Sequence, residues 1–132
     1  MGPKEIERFI VKPHRIEELI YHDISRMETE VGPLFRFMDR EMISESDVTV
    51  LVREVRKEVS KKAGVGPSLH RHDSNQIYCL LGDLAVEVTL DRQKKLVQGP
   101  ASILIPAGTE HAIRFSGGKG FLVNILSRSE YK

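Results

Sequence analysis

The sequence predicts a single all-β domain, either a sandwich or a barrel. Its 132 residues are the length of one ordinary domain. From about residue 46, short segments rich in β-branched residues recur at intervals of roughly 8–12 residues. Gly, Pro and Asp separate these segments, as in Gly82-Asp83 and Gly99-Pro100, and such residues favour turns between strands.

Seven segments in this part of the chain are predicted to be strands: DVTVLVREV, QIYCLLG, LAVEVTL, KKLVQ, SILIP, HAIRF and FLVNILS. LAVEVTL shows the alternation of a half-buried strand, with Leu84 and every second residue after it apolar. Six apolar residues are expected to line or close the interior: Val86, Val88, Ile103, Ile105, Ile113 and Phe115.

The first third of the chain has a mixed pattern. We expect residues 1–45 to form an extension that packs on the barrel or on a partner copy, and residues 46–132 to form the barrel itself. ERFIVKP is predicted to be a short strand. HRIEELIYHDISRM has apolar residues at helical spacing and is predicted to form one or two helical turns.

Two predicted strands, PLFRFMDREMI and QIYCLLG, carry apolar residues on both faces. A lone small barrel would leave one of these faces in water. Covering such a face removes apolar surface from solvent, which stabilises by about 25 cal/mol per Å². We therefore expect a homodimer.

Composition argues against several classes of partner. The net charge of +1 gives no strong field for nucleic acid or an anionic membrane. The N-terminus is charged throughout, unlike a secretory signal, and no apolar run approaches the roughly 18–20 residues of a membrane span. The single cysteine, Cys79, excludes an intrachain disulfide. We expect a cytoplasmic protein, with Arg53 in the mixed-charge run VREVRKEVSKK as a solvated surface residue.

The stretch SLHRHDSNQIYCLLG carries the candidate chemistry. His70 and His72 lie two residues apart, so they share one face in an extended chain, and Gln76 and Tyr78 have the same parity. His111 lies at the start of a later predicted strand. Imidazoles from two segments can surround a metal ion, because neutral imidazole is a common ligand of transition metals. The spacing alone is equally compatible with exposed polar residues at a strand entrance.

Two motifs make this chain resemble the cupin family. The first cupin motif is Gly, five residues, His-any-His, three or four residues, Glu, six residues, Gly. This chain has Gly64, five residues, His70-Arg71-His72, three residues, Gln76, five residues, Gly82. The second is Gly, five residues, Pro-any-Gly, two residues, His, three residues, Asn.

For this second motif the chain has Gly99, six residues, Pro106-Ala107-Gly108, two residues, His111, three residues, Phe115. The match covers about residues 64–115. One Gly spacing in each motif differs by one residue, which requires only an adjusted turn. Phe115 replaces a commonly variable Asn.

The resemblance implies a double-stranded β-helix, or jelly roll, with a metal ion inside the barrel mouth. It implies that His70, His72 and His111 are ligands and that Gln76 occupies the position of the family's Glu ligand. The cofactor would be one divalent transition metal ion: Zn, Fe, Ni, Mn or Cu.

The substitution of Gln for Glu has chemical consequences. An amide oxygen is neutral and a weaker donor than a carboxylate, so the ion would keep its full charge and attract anionic substrates. Some cupins, including one that linearises unsaturated uronates, use a His, His, Gln, His set, which favours Gln76 as a ligand. The alternative is that Gln76 only hydrogen-bonds to a neighbour. Tyr78 is a candidate catalytic acid or hydrogen-bond donor, or simply a core aromatic.

Three functions remain open. The first is a metalloenzyme acting on a small polar or anionic molecule, as an isomerase or lyase of a sugar acid or as a dioxygenase. The second is a non-catalytic module that binds a small ligand, and the third is a structural cupin without metal. The HExxH helix, the Gly-rich phosphate loop and the GxSxG elbow are absent from the sequence. Asp73 directly follows His72 and would point to the opposite strand face, which argues against a facial triad with that carboxylate.

Overall fold

The computed structural model describes residues 3–16, 32–56 and 71–127. A short helix α1 (Pro3–Ile6) and a 3-10 turn (Glu7–Phe9) precede nine strands in these ranges. The strands are β1 (His14–Arg15), β2 (Leu34–Met38), β3 (Thr49–Val55), β4 (Gln76–Leu81), β5 (Leu84–Leu90), β6 (Gln93–Gln98), β7 (Ala101–Ile105), β8 (His111–Gly118) and β9 (Gly120–Leu126). None of the helical segments in this part of the chain has the length and apolarity that crossing a membrane requires.

The strands form two sheets. One has the order β1-β2-β3-β9-β4-β7 and the other has the order β6-β5-β8. All of the strand pairs recorded in these sheets are antiparallel. Neighbours such as β3 with β9, and β5 with β8, are distant in sequence, which is the connectivity of a jelly roll. The predicted all-β double-stranded β-helix is confirmed.

The alternation of buried and exposed side chains along β4 identifies the inner face of the larger sheet. Gln76, Tyr78 and Leu80 are buried, whereas Ile77 and Leu81 are exposed. Directly paired residues of neighbouring strands share a face, so the register extends this assignment to the other strands.

The core lies between the two sheets. Of the six residues expected to line the interior, Ile103 is half-buried and packs against the core, and the other five are buried. Leu80, Leu84 and Val86 are also at most 1% exposed. Full burial of each such aliphatic side chain stabilises the fold by about 1.5–3 kcal/mol.

The N-terminal predictions need correction. ERFIVKP is not a strand: Glu7–Phe9 forms a 3-10 turn, and Ile10 is exposed because no neighbouring strand in the described residues covers it. The predicted helix was expected to begin at His14, but His14–Arg15 pairs with β2 instead. The remainder of that helix, and His70, lie outside the described residues.

The prediction for Arg53 was wrong. Its side chain is on the inner face of β3, only 3% exposed, and its Nη1 donates a hydrogen bond to the Gly32 carbonyl oxygen at 2.7 Å. The surrounding run of mixed charges had suggested that Arg53 lies on a solvated edge strand. Pairing of β3 with both β2 and β9 makes it an interior strand, so every second residue points inward.

Candidate metal centre

Two loops meet at one end of the barrel and carry the candidate ligands. The backbone N–H of Gly108 donates to the His72 carbonyl oxygen at 2.8 Å, and the N–H of Ala107 donates to Asn75 Oδ1 at 2.9 Å. The first of these loops leads into β4, which begins at Gln76, and the second leads into β8, which begins at His111. The hydrogen bonds between the loops therefore hold both strand starts at the same end.

His72 and His111 are in direct proximity. Their ring centroids are 5.2 Å apart, with the planes inclined at 45°. His111 is 1% exposed, and the Nε2 atoms of both rings are buried. These two imidazoles come from the two cupin-like motifs, so the structure brings together residues that are 39 positions apart (72 to 111) in the chain.

A backbone carbonyl fixes the tautomer of His111. Its Nδ1 lies 2.9 Å from the Thr109 carbonyl oxygen. Because a carbonyl oxygen only accepts, Nδ1 must carry the proton, and in the neutral ring Nε2 holds the lone pair. A metal-binding imidazole is oriented in this way in proteins.

Gln76 is another buried side chain at this end that could bind a metal ion. Its side chain is fully buried, and Nε2 donates to Tyr78 Oη at 2.9 Å and to Asn124 Oδ1 at 2.7 Å. Both amide hydrogens are thus used. Oε1 is buried and has no hydrogen-bond partner among the described residues. A buried acceptor left in this state costs about 1–3 kcal/mol, so an oxygen held here by two neighbours fits a role as a ligand.

Tyr78 lies in the core with its hydroxyl against Gln76. Burial raises the pKa of its phenol well above the ordinary value, and the hydrogen bond from Gln76 opposes this shift only in part. The ring is therefore a neutral phenol at physiological pH. The hydroxyl holds the Gln76 amide, which makes Tyr78 a positioning residue in this structure. Its catalytic role stays a prediction.

Sequence reasoning missed two polar side chains of the interior. Asn124 is 8% exposed and lies directly opposite Tyr78 in the register of β4 and β9. Thr49 lies in the same cross-strand row as Gln76, with Leu126 between them. Its Oγ1 is buried without a hydrogen-bond partner in the described part of the chain. An Asn inside the apolar run FLVNILS was a usable signal, whereas Thr49 was not distinguishable from an ordinary strand threonine.

The charged groups nearest in sequence to the histidines lie toward solvent. The Glu110 carboxylate is 40% exposed and 3.5 Å from Arg71. Within residues 3–16, 32–56 and 71–127, no group of three His, Cys, Asp or Glu side chains could hold a metal ion. The described donors are two imidazoles and an amide oxygen, which suit a transition metal if a further ligand completes the set.

Comparisons with known proteins agree on the fold. No protein-family model matches the sequence, and no curated protein matches it. KdgF from Halomonas sp. is 14% identical with a TM-score of 0.57, over 76% of this chain and 80% of that chain. An RmlC-like cupin from Shewanella frigidimarina is 14% identical with a TM-score of 0.55, over 76% of this chain and 78% of that one. The R92A mutant of oxalate decarboxylase from Bacillus subtilis is 10% identical with a TM-score of 0.62, and the match spans 90% of this chain but 28% of that protein.

Proposed function

We propose that this chain, which has the cupin fold, is a small metalloprotein in which His70, His72, Gln76 and His111 hold one divalent transition metal ion. The observation that carries the proposal is the Gln76 amide. Its two hydrogens are engaged by Tyr78 and Asn124, and its buried Oε1 has no partner among the described residues. The two hydrogen bonds would also suit a purely structural amide, but they leave Oε1 fixed in orientation and without a donor among the described residues, as a ligand requires.

Two further observations support metal binding. The His111 tautomer leaves Nε2 as the lone-pair nitrogen, and the His72 ring lies beside it. The oxalate decarboxylase of similar fold has Mn(II) centres, according to the study of its structure. The ion in this chain would be Zn, Fe, Ni, Mn or Cu.

The substrate we propose is a small polar or anionic molecule, such as a sugar acid. The inward-facing polar residues Thr49, Gln76 and Asn124 are uncharged and would not repel an anion. The buried Asp39 carboxylate beside this end is paired with Arg36 at 3.1 Å. A bound divalent ion would act there as a Lewis acid that polarises a carbonyl or hydroxyl group, which suits an isomerase or lyase, whereas a redox-active ion would suit a dioxygenase. The protein's own contribution is to bind and orient the substrate in a water-poor interior.

The second candidate is a non-catalytic module that binds a small ligand. The position of Tyr78 favours it, because this candidate acid is only 5% exposed and its hydroxyl is bound to the Gln76 amide instead of facing open space. The buried bases among the described residues are the Nε2 atoms of His72 and His111, which metal binding would occupy, and the Asp39 carboxylate, which is paired with Arg36 at 3.1 Å.

Elemental analysis of the purified protein tests the proposal. We expect close to one transition metal ion per chain, with loss of the ion in His72→Ala and in His111→Ala while the β-sheet circular dichroism persists. His14→Ala is the matched control, because His14 is an exposed histidine on β1. Full occupancy in both site variants, or a wild-type protein that binds no metal in equilibrium dialysis, would overturn the proposal.

For the assembly, we propose a homodimer through the outer face of the larger sheet. Ile77 and Leu104 are direct cross-strand neighbours on this face, as are Leu81 and Phe121, and all four side chains are at least 37% exposed. A second copy of this face would cover this apolar surface. We also propose that the protein is cytoplasmic and that its partners are small molecules rather than nucleic acid or membranes.

A further inference from the structure

A cleft of about 680 Å³ opens between β6 and β7, the edge strands of the two sheets in the described part of the chain. This volume lies in the range of small-molecule sites, roughly 300–1,000 Å³. The cleft is distinct from the candidate metal centre, since neither His72, Gln76 nor His111 lines it.

The floor of the cleft is apolar. Val88 is buried and inward-facing, and Leu90, Val97 and Ile103 are half-buried side chains that pack against the core cluster. An occupant with a hydrocarbon segment would cover this floor and remove apolar surface from water. A fully hydroxylated molecule would lose hydration there without gaining hydrogen bonds from the floor.

The cleft reaches the segment that carries His111. Leu90 is the direct cross-strand partner of His111, and Thr109 supplies the carbonyl oxygen that binds His111 Nδ1. In addition, the Asp91 N–H donates to the Glu110 carbonyl oxygen at 2.8 Å. One end of a ligand bound in the cleft would therefore lie beside the candidate metal centre.

Register separates the roles of two lysines on β6. Lys95 pairs with Val88, which is inward-facing, so the Lys95 side chain projects from the cleft side of the strand. Lys94 pairs with Thr89 and projects from the opposite side. Lys95 is thus the cationic residue on the cleft side of β6 and favours an anionic group at its own position, whereas Asp91, the one acidic residue of the lining, disfavours an anion at its position.

We propose that this cleft binds a small monocarboxylate with an apolar chain, its carboxylate at Lys95 and its chain along the floor formed by Val88, Leu90, Val97 and Ile103. The assignment of this ligand as a substrate rests on the proposed metal centre, whereas the binding site itself does not. It narrows the proposed substrate class to small anions with a hydrocarbon segment, and it excludes the sugar acid that was named above as an example of that class.

Titration of the full chain with three six-carbon probes, followed by NMR chemical shifts, tests this site. Hexanoate is expected to bind with shifts confined to β5, β6 and β7. Hexanamide, which lacks the charge, should bind about fivefold more weakly, as expected when an exposed ion pair is lost. Gluconate has the same length and charge but hydroxylated carbons, and should bind at least about tenfold more weakly, because burial of each methylene is worth about 0.8 kcal/mol.

The same substitution at two positions, Lys95→Met and Lys94→Met, distinguishes the roles of the two lysines in binding. Lys95→Met should weaken hexanoate binding about fivefold, the effect of one exposed ion pair, while Lys94→Met should stay within about twofold. Val97→Phe should block the floor and abolish the shifts. Equal effects of the two lysine variants, or gluconate binding as tightly as hexanoate, would overturn the proposal.

The metal content of each variant is measured in parallel. Unchanged metal in Lys95→Met with weakened hexanoate binding supports the cleft and leaves the metal centre intact. A wild-type protein without metal that still binds hexanoate in the cleft would refute the proposed function and retain the site. A metal-loaded protein that gives no hexanoate shifts would refute the cleft alone.

Discussion

The Gln76→Met variant tests whether Gln76 binds a metal ion or serves only as a structural amide. Met is unbranched and similar in size, so the side chain can occupy the same buried space without the amide. The change removes the hydrogen bonds from Nε2 to Tyr78 Oη (2.9 Å) and Asn124 Oδ1 (2.7 Å). It also removes the buried Oε1, which has no hydrogen-bond partner among the described residues.

These effects cancel only in part when metal is absent. The loss of Nε2 leaves the buried Tyr78 Oη and Asn124 Oδ1 without this donor, at about 1–3 kcal/mol each, whereas removal of the orphaned Oε1 returns about 1–3 kcal/mol. We therefore expect the free energy of unfolding in EDTA to fall by about 1–3 kcal/mol. When metal is present, the free energies of unfolding of the two proteins differ further, because an ion at a concentration of 100 times its Kd stabilises the wild type by about 2.7 kcal/mol. If loss of the ligand weakens binding at least about tenfold, as loss of a residue that merely supports a ligand does, the same ion concentration stabilises the variant by at most about 1.4 kcal/mol.

Urea unfolding followed by circular dichroism, with EDTA and then with excess metal, measures this difference. The metal-dependent increment should fall by at least about 1.3 kcal/mol in Gln76→Met. Gln98→Met is the matched control, because Gln98 is an exposed amide whose Nε2 also donates a hydrogen bond, to Asp83. An undiminished increment in Gln76→Met would refute the assignment of Oε1 as a ligand.

Three other variants test the surroundings. Asn124→Leu should weaken metal binding about 10–100-fold in competition with a chelating dye, with most of the affinity restored in Asn124→Asp; unchanged affinity in Asn124→Leu would contradict its positioning role. Folding raises the pKa of Tyr78, so the folded state holds the phenol proton more strongly than the unfolded state does. Above pH 10 the free energy of unfolding of the wild type should therefore fall relative to that of Tyr78→Phe, by up to about 1.4 kcal/mol per pH unit, until the pH exceeds the pKa of the folded state. Parallel pH profiles in urea unfolding would contradict this. Leu81→Asp should shift the protein from dimer to monomer in light scattering, whereas Leu96→Asp, at a leucine of the smaller sheet that is even more exposed (59% against 47%), should not; a dimer retained in Leu81→Asp would exclude this face.

The sequence predicted the strands of the barrel well, because each carries its own pattern. LAVEVTL coincides with β5, whose alternation is set by one buried face. The exception is β8, which was predicted over HAIRF alone and continues through Gly117 and Gly118. Gly118 has a φ of +80°, and a Cβ there would overlap the Asp83 carbonyl oxygen, so glycine is required by close approach of two backbones. A local pattern cannot distinguish this requirement from a turn.

The candidate site was predictable only where its residues are marked by spacing. His72 and His111 belong to recognisable motifs, and the structure places their rings side by side. Asn124, Thr49 and Arg53 are buried polar residues whose inward direction depends on which strands are neighbours. The pairing of β3 and β4 with β9 decides this direction, and pairing between strands that are separated by 38 or more residues (82 to 119 for β4 and β9) leaves no trace in a local pattern.

The choice of amide over carboxylate at position 76 follows from the same interior. Position 76 is fully buried, and its closest polar neighbour is the Asn124 Oδ1 acceptor. A carboxylate there would need to be desolvated and would place a negative charge against another oxygen, which costs several kcal/mol unless a cation is bound. An amide donates to that oxygen and keeps Oε1 in place whether or not a cation is present. Gln76 therefore adds no charge to the interior when the ion is absent, and an anionic ligand meets no opposing charge from this position.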